Sequence, residues 1–241
     1  MEHTLEWKPD DTEIFLTILV VAASFMAYFF MAKSQKMKDG FILKFGTEKT
    51  KVQWVLFERL IGVLFFGIIP LLTVYFIYDD GIQSYGISST NLLLSMYWIL
   101  GLSPLLILMN YFNSTKEDNL AMYPQIRKSE WNLQLVILSA VSWTAYLLAY
   151  EFMFRGYLLF VSVKYLGVWP AIALNIAIYA LVHVPKGIKE ALGALPLGIV
   201  LGIITIKTGN IWVAFVVHVV LALSNEWFSL KAHPEMKFIK N

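Results

Sequence analysis

The chain contains no cysteine, which excludes disulfides and any thiolate zinc site and leaves the redox compartment unread. Charge is scarce too: Asp, Glu, Lys and Arg make up 15% of its 241 residues, against about 25% in soluble domains. A net charge of +2 gives no basis for nucleic-acid binding. No internal repeat and no low-complexity tract is visible. No polar stretch is long enough to fold as a soluble domain beside the apolar part. Ahead of the first apolar run, which begins near Glu13, there is neither a basic n-region nor a small-residue cleavage site. That run therefore reads as a retained span and not as a signal peptide.

Hydrophobic residues are abundant, at 58% with a mean hydropathy of +0.64. Several apolar runs reach membrane-spanning length, so the expected fold is an all-α, polytopic transmembrane helical bundle. Seven apolar segments can be drawn, near 12–32, 53–78, 92–112, 133–164, 169–184, 188–206 and 210–229. The fourth is too long for one straight span, so it is strongly tilted, broken, or extends out of the bilayer; crossing twice would make eight spans. Three regions follow: N-terminal helices and loops over 1–132, a core over 133–229 and a basic tail over 230–241.

Loop charge gives an expected orientation. The stretch "MEHTLEWKPDDTE" is acidic, "KSQKMKDGFILKFGTEKTK" is lysine-rich, and "DDGIQSYGISSTN" has no Lys or Arg. The third loop has Lys116, Arg127 and Lys128, and the tail has Lys231, Lys237 and Lys240. The positive-inside rule then puts the N-terminus out and the C-terminus in; a cell (plasma) membrane is the expected location. Glu58 and Arg59 in the second segment read as interfacial residues that snorkel. Gly198 and Gly202 have the four-residue spacing that lets helices approach closely.

Polar residues in the later apolar segments are the functional signal. Glu151, Arg155, His183, Lys186, Glu190, Lys207 and His218 stand within or beside hydrocarbon-length runs. A charge at the bilayer centre costs roughly 2.5–3.5 kcal/mol on insertion scales, so each needs a partner, a wet cavity or a chemical role. Glu151 and Arg155 are four apart and share a helical face. Taken alone, they could be a structural ion pair, and each histidine a satisfied core residue. A carboxylate and two imidazoles on three separate segments can also activate water and stabilise an oxyanion, or bind a metal. Metal binding is the weaker alternative, because no H-E-x-x-H pair is present.

"EFMFRG", then "YALVH", then "TGNIWVAFVVH" resembles the CPBP intramembrane proteases, the CAAX-processing and bacteriocin-processing (Abi-type) group. That family reads E-E-x-x-x-R, F-x-x-x-H and H-x-x-x-N on successive membrane helices. The resemblance covers about residues 133–229. It implies Glu151 at the second glutamate position, Arg155 at the arginine, Tyr179 where Phe is frequent, and His183 and His218 at the two histidines. In the family a glutamate and the second-motif histidine activate water, while the third-motif histidine and asparagine hold the oxyanion. Here the first glutamate is Tyr150 and the asparagine is Ala222. Glu190, Asn225 seven residues after His218, and Tyr150 as a phenolic donor are the candidates to compensate.

The resemblance implies an endopeptidase acting on a hydrophobic or lipid-modified peptide or protein within membrane lipids, with no nucleic acid. Glu151 would polarise water, His183 share its proton, His218 hold the oxyanion and Arg155 pair with Glu151. No cofactor is expected to be required, and metal dependence is left open. The alternative is an inactive descendant that binds peptide or lipid, or acts as an immunity or scaffold factor. A transporter is a third class, against which stands the lack of repeat symmetry.

Overall fold

In lipid, a chain this apolar has no partner for its backbone groups except itself, and helices are the result. The computed structural model describes residues 6–78 and 80–240. The helices are α1 (Pro9–Ala32), α2 (Gln35–Phe45), α3 (Thr47–Ile77), α4 (Leu92–Asn113), α5 (Glu117–Met122), α6 (Leu133–Leu166), α7 (Val168–His183), α8 (Ile188–Thr208) and α9 (Trp212–Ala232). Six of them (α1, α3, α4, α6, α8 and α9) are long and apolar enough to cross a membrane, and α7 is a shorter apolar helix. The chain is an integral membrane protein. Two short parallel strands, β1 (Glu130–Trp131) and β2 (Lys237–Phe238), tie the third loop to the tail.

The apolar segments read from the sequence match these helices closely. The lysine-rich first loop is different, because it contains α2. Ser34 caps that helix by accepting from the Met37 amide at 3.3 Å, and no residue of it is buried. Phe41 holds it to the base of α3 through the rings of Trp54 and Phe57. The fourth segment is one helix, α6, whose middle residues Phe152–Leu158 form a π turn. A second π turn, Val63–Ile68, lies in α3, and the two pack against each other. The main core gathers here, with Phe66, Tyr150, Met153, Phe154, Tyr157 and Tyr179 all buried.

Arg59 does not snorkel. It is 4% exposed, and its guanidinium donates to the Ser139 carbonyl at 2.8 Å, the Ser142 hydroxyl at 2.9 Å and the Gln125 side chain at 3.0 Å. Glu226 of α9 lies 3.6 Å away, fully buried, and also accepts from the Ser139 hydroxyl. The reason is partnership: a carboxylate from the far end of the chain makes an inward arginine affordable. Glu58, the next residue, faces a cavity described below.

Gly198 and Gly202 divide in role. A Cβ at Gly198 would lie 3.1 Å from the Tyr179 ring, so this glycine does allow close approach of α8 to α7. A Cβ at Gly202 would meet nothing within 4 Å.

Removing the Arg59 guanidinium would leave Glu226 as an uncompensated buried charge. Arg59→Ala should destabilise the protein by about 3–5 kcal/mol, whereas a paired Arg59→Met, Glu226→Gln exchange should recover most of that loss. Thermal unfolding in detergent would measure both.

Candidate active site

The site is built where α6 changes its winding. Glu151 ends the α-helical part, and the π turn follows at once. A π turn inserts one residue and shifts the backbone hydrogen bonds, and such turns often mark functional sites. The Phe154 carbonyl in this turn accepts from the Asn175 side-chain amide of α7 at 2.6 Å. Sequence reasoning missed Asn175; an asparagine within "AIALNIAIYALVH" was the available signal. Gly156 lies in the same turn. A Cβ there would sit 2.6 Å from the Tyr85 backbone oxygen, so only glycine lets the turn press on the segment Ile82–Tyr85.

Glu151 and Arg155 are both wholly buried. Arg155 Nη1 stands 3.3 Å from Glu151 Oε2, and its guanidinium lies 3.8 Å over the Tyr179 ring. Glu151 has a second partner. Its Oε1 is 2.6 Å from His218 Nδ1 on α9, a short charge-assisted contact. A carboxylate can only accept, so Nδ1 carries the proton, and in the neutral imidazole Nε2 is then the lone-pair nitrogen. His183 follows the same logic: its Nδ1 lies 2.7 Å from the Tyr179 carbonyl oxygen and must donate to it.

Tyr150 joins the two imidazoles. Its ring meets that of His218 edge-on at 5.6 Å and that of His183 at 6.3 Å. Three helices thus bring Glu151, His183 and His218 around one tyrosine. His218 is 13% exposed at its side chain while Glu151 is sealed, so the histidine is the member of that pair that solvent or substrate can reach. A cavity of about 230 Å³ leads to Tyr150 from one end of the bundle. Phe25, Tyr28, Phe66, Tyr146 and Val182 are among its walls, and Lys33, Glu58, Tyr123 and Gln125 also line it. A second hollow, of about 450 Å³ beside the C-terminal tail, is lined by none of the site residues.

The other candidates are placed elsewhere. Glu190 accepts from the Tyr123 hydroxyl at 3.0 Å. Tyr123, outside the spans, has its phenol held well above the usual range by burial and by that carboxylate. Asn225 donates to Asn119 at 3.0 Å and ties α9 to α5. Ala222 packs among Trp143 and Leu147. The side chain of Lys186 lies outside those described. Among the described residues, no three His, Asp or Glu side chains gather as a metal site would require.

Residues 131–224 match the family model described as Rce1-like, Type II CAAX prenyl endopeptidase Rce1-like. This segment is similar to that family. It is consistent with a CPBP family member and includes every residue of the Glu151, His183 and His218 cluster. Neither curated proteins nor solved structures gave a match.

Within the Rce1-like segment, Gly156→Ala should lower the thermal unfolding midpoint, because the close approach is to backbone that cannot swing aside. Gly202→Ala, in open space, should leave the midpoint unchanged or raise it slightly by relieving glycine's entropy cost in a helix. A midpoint unchanged by both would show that the π turn does not depend on Gly156.

Proposed function

We propose that the chain is an intramembrane endopeptidase that hydrolyses a peptide bond of a hydrophobic or lipid-anchored substrate, with a prenylated CAAX tail as the leading candidate. The observation that carries this reading is the 2.6 Å contact between a sealed Glu151 and a partly exposed His218. A base oriented by a third group is the recurring arrangement for activating a nucleophile. It assigns Glu151 the role of orienting His218 and not that of meeting water itself. His218 Nε2 takes a proton as water adds to the scissile carbonyl carbon, then returns it to the leaving amine. His183, edge-on to the same Tyr150 ring, is the second proton-handling group. Arg155 balances the charge of Glu151.

Substrate would enter by the aromatic-lined cavity, whose rim includes Lys33 after α1 and Tyr123 and Gln125 of the third loop. With the N-terminus out and the C-terminus in, that rim faces the cytoplasm of a cell with the protein in its plasma membrane. The chain lacks cysteine, so single-cysteine labelling reports orientation without background. A membrane-impermeant maleimide added to intact cells should label Ser84→Cys and spare Lys38→Cys; the opposite pattern would reverse the topology.

A second reading has an observation of its own. The Tyr150 ring stands between the cavity and the two imidazoles, and Ala222 offers no donor. Both suit an inactive descendant that binds peptide or lipid in the cavity, as an immunity or scaffold factor would.

Protein reconstituted in liposomes and given a quenched fluorogenic peptide ending in a prenyl-cysteine CAAX sequence separates the two. Wild type should cleave it, and Glu151→Gln, His218→Ala and His183→Ala should each lose at least about a hundredfold in rate. Activity retained in Glu151→Gln and His218→Ala together would sink the site assignment. A wild type that binds the peptide without cleaving it would favour the inactive reading.

A further inference from the structure

Tyr150 carries a polar atom with no partner. Its hydroxyl oxygen is buried and makes no hydrogen bond. Three other tyrosines have partners: Tyr78 bonds Thr17 and Tyr157, Tyr85 bonds Glu13, and Tyr123 bonds Glu190. Burying a hydroxyl without a partner costs stability, and phenylalanine would fill the same space without that cost. The ring is held tightly, against Phe154 at 4.6 Å and Phe66 at 5.9 Å, so the hydroxyl has a defined position. Tyr150 is one of the residues lining the cavity, and its ring stands edge-on to both imidazoles.

We infer that the Tyr150 hydroxyl is the donor that stabilises the oxyanion, taking the scissile carbonyl oxygen as its missing partner. The inference rests on the peptidase reading above. As water oxygen bonds to the carbonyl carbon, the π electron pair moves onto the carbonyl oxygen and the water proton goes to His218 Nε2. The Tyr150 O–H donates a hydrogen bond to that oxygen and keeps its own proton. The pair returns when the C–N bond breaks, and the amine leaves with the proton from His218. A neutral phenol can do this at the place where the resemblance would put a glutamate, and it supplies a donor that Ala222 cannot.

Tyr150→Phe is a clean test because the structure gives the hydroxyl nothing to lose. The variant should unfold at the wild-type temperature or above, while kcat on the prenyl-cysteine peptide falls about a hundredfold and KM changes less than about threefold. A fall in unfolding temperature would show that the hydroxyl has a structural partner and overturn the inference. Activity within about twofold of wild type, with Glu151→Gln inactive, would also overturn it while leaving the peptidase reading intact. Full activity in both variants would instead remove the assignment of the active site on which the inference rests. A phosphinate analogue of the same peptide carries tetrahedral oxygens and needs no turnover. Wild type should bind it at least about tenfold more tightly than Tyr150→Phe does, with equal affinities for the uncleaved peptide. Equal phosphinate affinities would overturn the inference even in a protein that cleaves nothing.

Discussion

One carboxylate governs the centre of this molecule. Glu151 is wholly buried in a helix long and apolar enough to lie in hydrocarbon, and an anion there must be compensated or expelled. Arg155 supplies the countercharge one turn on, and His218 supplies a hydrogen bond from another helix. Each partner then makes demands of its own. The arginine lies on the face of Tyr179, which fixes α7 against α6. Gly198 leaves room for that ring on the α8 side. The π turn begins at the residue after Glu151, and Asn175 takes up one of its carbonyls. Four helices are thus located by the need to satisfy one charge.

The second buried pair, Arg59 with Glu226, is solved differently. Arg59 is surrounded by oxygen acceptors from Ser139, Ser142 and Gln125, and Glu226 takes the Ser139 hydroxyl. Neither residue contributes to an imidazole. The cluster joins α3, α6 and α9 to the third loop, which carries Tyr123 and Gln125 to the cavity rim. Its chemistry is that of a clamp, and its contrast with Glu151 is instructive. Both sites bury a carboxylate and an arginine, but one oxygen of Glu151 is taken by the partly exposed His218. A purely structural pair has no need of that.

Legibility in the sequence followed the range of the interaction. The apolar helices came through to within about six residues at their ends, because hydropathy over some twenty positions is a local property. Glu151, Arg155, His183 and His218 stood out for the same reason, as polar residues in apolar runs. What stayed hidden depends on distant partners. Arg59 looks like an interfacial residue until Glu226 is brought to it from α9. The π turn at Phe152–Leu158 has nothing in its composition to distinguish it from ordinary apolar helix. Helix α2 is short and lysine-rich, so its pattern resembles a loop, and its amphipathic contacts become visible only against Trp54 and Phe57. The role of Glu151 also needed the geometry: spacing showed that it could meet Arg155, but only the fold shows His218 Nδ1 on its other oxygen.

The departures at Tyr150 and Ala222 are linked by the same accounting of charge. A second carboxylate at position 150 would stand beside Glu151 in a cage of Phe66, Tyr146, Phe154 and Tyr179, with Arg155 already engaged by Glu151. Two anions sharing one buried cation would each be poorly compensated. A tyrosine removes that conflict and leaves the cluster of Glu151 and Arg155 neutral. It also changes which group can accept a proton. With no carboxylate at position 150, the basic lone pair beside Tyr150 in the proposed mechanism is that of an imidazole, and Glu151 holds His218 by its Nδ1. An asparagine at 222 would have to bury an amide beside Trp143 and Leu147, whereas alanine packs there without a polar demand. On the proposed mechanism, a tyrosine at 150 and an alanine at 222 are therefore consistent with each other, the hydrogen-bond donor standing on α6 and not on α9.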